Sequence, residues 1–136
     1  MDSELERVVT FFRFEDLRIY HKSLDYIEWI ARKTFKFPVE SQAGFSTRFN
    51  LAAQAIALNI SEGSARNKNQ FIYYLKMAKS AVRECVVYTA LAGKLQYFSE
   101  KEVEESRGQL MEMTKMIGAL IGSLQRAADF NLEDTD

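Results

Sequence analysis

Apolar residues in this chain recur at steps of three and four rather than two, the spacing of one face of a helix. Leu17, Tyr20, Leu24, Ile27 and Ala31 form the first such stripe and predict a helix from about Glu15 to Thr34. Glu15 and Asp16 suit its positive N-terminal end. Phe35-Lys36-Phe37-Pro38 stops it, because the residue before a proline is pushed out of the helical region. A second helix is predicted to start between Ser41 and Ser46, with Phe49, Ala52, Ala53, Ile56 and Ile60 as its apolar face. Gly63 is its expected C-terminal cap, and Ser64-Ala65-Arg66-Asn67 reads as a polar loop. The third helix runs from about Lys68 to Ala92 on the stripe Phe71, Leu75, Ala78, Val82, Cys85, Thr89 and Ala92, and Gly93 with Gln96-Tyr97-Phe98 closes it. Ser99-Glu100-Lys101-Glu102 is a capping box, in which serine and glutamate satisfy backbone donors reciprocally. The helix it opens keeps heptad spacing at Val103, Ser106, Leu110, Met113, Ile117, Leu120, Leu124 and Ala127.

Four helices with short connections predict an all-α fold, an up-down-up-down four-helix bundle over residues 14–130. Residues 1–13 hold no sustained pattern and are expected to form a flexible N-terminal arm, and the acidic stretch 131–136 is expected to fray. Composition agrees: one proline and six glycines in 136 residues leave few turns and therefore long elements. The third and fourth helices carry apolar residues beyond a single stripe: Val86, Val87, Tyr88 and Leu91 on one, Met111, Met116, Ala119 and Ile121 on the other. A helix apolar on more than one side is buried on more than one side. Two readings of that width stand open, a broad core and a contact with a second subunit. Gly118 and Gly122, four apart beside Ser123, read as a packing feature that lets helices approach closely.

Candidate chemistry is sparse. One histidine, His21, and one cysteine, Cys85, exclude both a structural zinc site and a disulfide within the chain. Cys85 falls on an apolar stripe, where a buried inert thiol is expected rather than a nucleophile. His21, Asp25 and Glu28 fall on neighbouring turns, so a weak divalent site is conceivable, although a solvated polar face is the ordinary reading of such a pattern. No phosphate-binding or dinucleotide-binding glycine motif occurs. The expectation is a protein that is not an enzyme and needs no cofactor and no metal. With no apolar run long enough to span a membrane and no signal-like start, it is expected to be cytoplasmic.

Charge adds what composition hides. Residues 41–98 carry seven basic and two acidic side chains, a net of +5, whereas residues 99–136 carry four and nine, a net of −5. Lys76, Lys79 and Arg83 share one helix face, and Arg66, Lys68 and Lys94 extend it. Such a row contacts phosphates by charge alone, and Tyr73, Tyr74 and Tyr88 interleave with it as candidate stacking surfaces. A merely solvated lysine face, with tyrosines in a core or interface, is the competing reading. Asn59, Glu62 and Gly63 form a polar cluster at the end of the second helix. Their structural reading is a helix stop whose side chains bond the turn and the start of the next helix.

Phe14-Glu15-Asp16-Leu17, Phe37-Pro38 with Glu40, Ala55-Ile56-Ala57-Leu58-Asn59-Ile60-Ser61-Glu62-Gly63, and Phe71 through Ser80 with Glu84 together resemble a known family. It is the four-helix-bundle proteins encoded in 23S ribosomal RNA intervening sequences, often labelled S23 ribosomal protein. The resemblance covers about Phe12 to Leu124, and Asn59-Ile60-Ser61-Glu62-Gly63 is its most specific part. Asn50 and Leu51 stand where members commonly carry arginines, Ala57 where they carry proline, and Ala55 where they carry serine. The family is similar to the accessory variability determinant of diversity-generating retroelements. That likeness implies a ring-shaped homopentamer and, for the retroelement branch, binding of nucleic acid and of a reverse transcriptase. The expected function is a bacterial, homo-oligomeric binding module that contacts RNA or DNA through Arg66, Lys68, Lys76, Lys79 and Arg83. The alternative is a protein–protein adaptor or scaffold with no nucleic-acid role.

Overall fold

The structure, a computed structural model, describes residues 11–134, and their side chains as far as residue 127. The parts of the N-terminal arm and the acidic tail that fall at 1–10 and 135–136, and the tail's side chains, lie outside that description. Four long helices carry the chain: α1 (Arg18–Phe35), α2 (Thr47–Ser64), α3 (Lys68–Lys94) and α4 (Glu100–Asp134). Short 3₁₀ turns occupy Arg13–Asp16 and Val39–Ser41, and one turn of π-helix, Gln42–Ser46, leads into α2. The described residues contain no strand.

The first helix begins later than its pattern predicts. Leu17 is extended (φ −86°, ψ 126°) and interrupts the turn holding Glu15 and Asp16. His21 anchors that turn, its Nε2 lying 2.6 Å from the Glu15 carbonyl. The face α1 buries is also not the predicted one. Ile19, Ser23, Tyr26, Ile30 and Thr34 point into the core. Leu24 stays 41% exposed, and Tyr20 and Ile27 are half-buried beside it. The buried polar members escape an apolar pattern because each is satisfied internally. Ser23 donates to the Tyr20 carbonyl and Thr34 to the Ile30 carbonyl.

The predicted stripes of α2, α3 and α4 are the observed core. Phe49, Ala53, Ile56 and Ile60 meet Leu75, Ala78, Val82 and Cys85, with Leu110, Met113 and Ile117 behind them. Neighbours in sequence are neighbours in space, α1 on α2, α2 on α3 and α3 on α4, and α4 closes back on α1. At the end of the bundle where Pro38 turns the chain, aromatic rings take over the packing. Phe37 lies 5.0 Å from Tyr97 and 5.4 Å from Phe98, and Phe49 stacks on Tyr88 at 5.5 Å.

The connections are fixed by caps. Asn67 accepts the Gln70 amide at the start of α3. α3 ends in a Schellman pattern, in which Tyr97 and Gln96 donate to the Ala92 and Gly93 carbonyls and Gln96 takes the left-handed conformation, φ 63°. The capping box forms as predicted, with Ser99 N donating to Glu102 Oε1 at 2.9 Å and Glu102 N to Ser99 Oγ at 3.1 Å. Glu102 also meets Lys33 at 3.0 Å, tying the start of α4 to the end of α1. The Ser99 backbone bond and that ammonium hold its carboxyl below the usual glutamate range.

Gly63 is not a left-handed cap. It lies inside α2, and no described glycine has positive φ. Its role is proximity: a Cβ there would stand 2.6 Å from Tyr74 Cβ and 3.0 Å from Phe71 Cδ1. The end of α2 and the start of α3 cross so closely that only a hydrogen fits between them.

Candidate nucleic-acid interface

The register of α3 against α4 brings three of the five predicted cations to one place. Lys76, Lys79 and Arg83 line a groove of ≈ 410 Å³ between the two helices, together with Ser80, Gly118, Ile121, Gly122 and Gln125. Lys76 and Arg83 are exposed and Lys79 half-buried. Among the described residues no carboxylate lines the groove. The ion pairs among the described residues use Lys22, Arg32, Lys33, Arg66 and Lys101, and none of the three groove cations.

The opposite wall is the part that sequence reasoning assigned elsewhere. Gly118 and Gly122 do not pack helix against helix within the chain. A Cβ on Gly118 would meet no described residue within 4 Å, whereas one on Gly122 would meet Arg126 Nη1 at 3.2 Å. Gly118 opens the groove instead. The signal was present in the four-residue glycine spacing, but its meaning depends on which α3 residues stand opposite.

The remaining predicted residues are placed apart from the groove. Arg66, in the α2–α3 turn, pairs with Glu62 and lies 5.5 Å from the Tyr74 ring. The Glu62 bond, then the nearby Tyr74, raise its already high pKa. Lys68 is exposed in the first turn of α3, and Lys94 lies beside Glu100 and Glu104 at the far end. Asn59 donates within its own helix to the Ala55 carbonyl at 2.8 Å, so it does not bond the turn; Glu62 does, through Arg66. Of the tyrosines, Tyr88 belongs to the aromatic core, whereas Tyr73 is 58% exposed. His21, Asp25 and Glu28 are exposed on α1 without converging, Glu28 pairing with Arg32 at 3.5 Å.

A second polar cluster, not foreseen, lies at the centre of the bundle. Tyr26 Oη is 2.8 Å from Ser106 Oγ, which is 2.7 Å from Thr89 Oγ1, so α1, α3 and α4 are joined by one fully buried chain of hydroxyls. Burial, then the neighbouring Cys85, push the Tyr26 hydroxyl well above its usual pKa. Cys85 is buried too, and burial followed by the Glu84 charge push its thiol up to about 12. A thiol so protonated is a poor nucleophile. We expect Cys85 in the folded protein to resist a thiol-specific disulfide reagent at pH 8, and to react at once after denaturation. Rapid modification of the native chain would contradict the burial described here.

The comparisons agree with this architecture. Residues 15–119 match the model of the 23S rRNA-intervening sequence protein family, so the chain belongs to that family. It is also similar to a solved protein of unknown function from the S23 ribosomal protein family of Bacteroides thetaiotaomicron. The two share 22% identity over 76% of this chain and 95% of the other, with a TM-score of 0.69, a likeness of fold. No curated protein matches the chain. Among the described residues no helix is long and apolar enough to cross a membrane.

Proposed function

We propose that this protein is a non-enzymatic, homo-oligomeric binding module, an up-down-up-down bundle assembled as a ring of five, that holds nucleic acid by its phosphates. The observation that carries the reading is the triad Lys76, Lys79 and Arg83, gathered at one groove and left without carboxylate partners among the described residues. In a chain of net charge −1, cations usually find acids nearby; a cluster that does not is available to an anionic partner. Lys68 extends the reach of the cluster along α3, and Arg66 contributes once Glu62 releases it.

Self-assembly is supported by the apolar residues the bundle leaves outside. Leu51 and Leu58 on α2 are 58% and 65% exposed, and Val87 and Leu91 on α3 are 58% and 42%. Tyr20, Leu24 and Ile27 line a second apolar groove with Ala57 and Leu58. That surface also suits the alternative, an adaptor for another protein. Ionic strength separates the two, since phosphate contacts weaken steeply with salt and apolar contacts do not.

The test is the triple variant Lys76→Glu, Lys79→Glu, Arg83→Glu. Retention on structured RNA at low salt is expected to be abolished, while light scattering still gives five times the 15.7 kDa chain mass. Undiminished retention would refute the phosphate assignment. A 15.7 kDa particle for the unaltered protein would refute the ring.

A further inference from the structure

Gly118 and Gly122 stand in the interior of α4, where each glycine costs about 1 kcal/mol relative to alanine. Close packing explains such a cost at Gly63, and at Gly93, where a Cβ would stand 2.9 Å from Val103 Cγ2. It does not explain Gly108 or Gly118, whose missing side chains would have entered open space. At Gly118, unlike Gly108, that space is the α3–α4 groove. Its α3 wall is Lys76, Lys79, Ser80 and Arg83, its floor is the 9%-exposed Ile121, and its α4 wall is Gln125 with the backbone at Gly118 and at Gly122, where Arg126 Nη1 stands close by.

Three other grooves among the described residues lack this combination. The one around Lys94 and Gly93 also holds Glu100 and Glu104, the α1–α2 groove holds no charged residue, and the one at Arg32 and Lys36 has no glycine in its lining and its Arg32 pairs with Glu28. Cations along one wall, no acid among the described residues, and an opposite wall left open at Gly118 describe a channel for a slender polyanion. Packed helices lie about 8–10 Å apart, so the trough between them is too narrow for a duplex, which would touch only its rim. Lys76 and Arg83 are seven residues apart, about 10 Å along the helix, enough for a short run of phosphates. Among the described residues no aromatic ring lines the groove, so it offers contacts to backbone rather than to bases.

Building on the nucleic-acid reading above, we propose that the α3–α4 groove seats the sugar–phosphate backbone of a single strand of RNA or DNA. The α3 cations take its phosphates, and the glycine-cleared wall of α4 admits its sugar edge. Recognition is then independent of sequence and selective for strands that are unpaired.

The test varies volume and leaves charge alone. Gly118→Ala and Gly118→Leu are compared with the unaltered protein by anisotropy, using a fluorescent oligouridylate and an RNA duplex of equal length. Affinity for the single strand is expected to fall in the order glycine, alanine, leucine. The leucine variant should lose about tenfold or more, the scale of one charged phosphate contact. Duplex affinity should hardly change. Both variants should melt no lower than the parent, because alanine and leucine are better helix formers than glycine, so failure to fold would not mimic the result. If Gly118→Leu binds the oligouridylate as the parent does while the Lys76, Lys79 and Arg83 charge reversal abolishes binding, the cations form an open patch and the groove is not the seat. Preference for duplex would overturn the proposal in the same way. If the parent binds neither probe, the nucleic-acid reading falls and this inference with it.

Discussion

Gly63→Val is expected to unfold the protein at ordinary temperatures, and Gly63→Ala to destabilise it by about 1 kcal/mol net. A Cβ at residue 63 would approach Tyr74 Cβ to 2.6 Å, closer than two carbons attached to backbones can stand. Neither atom can rotate away, so α2 and α3 must separate. That movement would loosen the contacts of Ile60 and Leu75, both fully buried. Overpacking of this kind costs about 1–3 kcal/mol and sometimes more, against the roughly 1 kcal/mol that alanine gains over glycine in a helix. The branched valine adds volume at the same point of contact and loses most of that propensity. Gly118→Ala supplies the control: the same exchange, in open space, should raise stability by about 1 kcal/mol. Thermal melts of the three variants decide the matter. Equal shifts for Gly63→Ala and Gly118→Ala would show that the close crossing of α2 and α3 is wrong.

The buried hydroxyl chain makes a prediction in which three changes do less harm than one. Ser106→Ala removes a single oxygen and almost no volume, yet it deprives both Tyr26 and Thr89 of the partner that links them. Unsatisfied buried polar groups cost about 1–3 kcal/mol each, and a loss of about 2 kcal/mol is expected. The combination Tyr26→Phe, Thr89→Val, Ser106→Ala replaces every member by an apolar group of similar shape and should return to within about 1 kcal/mol of the parent. Denaturant melts of the single and triple variants test this. A triple variant weaker than Ser106→Ala would mean that the layer stabilises the bundle outright. The expected result makes it a device of register instead, fixing which turns of α1, α3 and α4 stand level.

These two features mark where the sequence was legible and where it was not. The stripes of α2, α3 and α4 could be read directly because apolar side chains carried them at helical spacing. The Ser99–Glu102 box could be read because both partners lie within one turn. The core face of α1 could not, since Ser23, Tyr26 and Thr34 look solvent-facing until their internal hydrogen bonds are seen. Gly63 looked like a helix stop because a local pattern shows the glycine and not the Tyr74 pressed against it. The candidate site divides the same way. The spacing of Lys76, Lys79 and Arg83 gave their common face, but that Gly118 stands across from them follows only from how α3 and α4 lie side by side.

The order in which the helices touch also governs how the chain finds this structure. Because α1 meets α2, α2 meets α3 and α3 meets α4, nearly all of the core forms by closing short loops. Such local topologies fold on the microsecond-to-millisecond scale. Distant segments meet where α4 returns onto α1 and where Phe37 packs on Tyr97 and Phe98, and the widest separation in the hydroxyl layer is that of Tyr26 and Ser106, 80 residues apart. That closure carries the largest loop entropy, so the hydroxyl layer is expected to be absent from the folding transition state. Its loss would then speed unfolding and leave the folding rate almost unchanged. The layer that sets the register of the bundle acts as its latch, holding the finished structure shut.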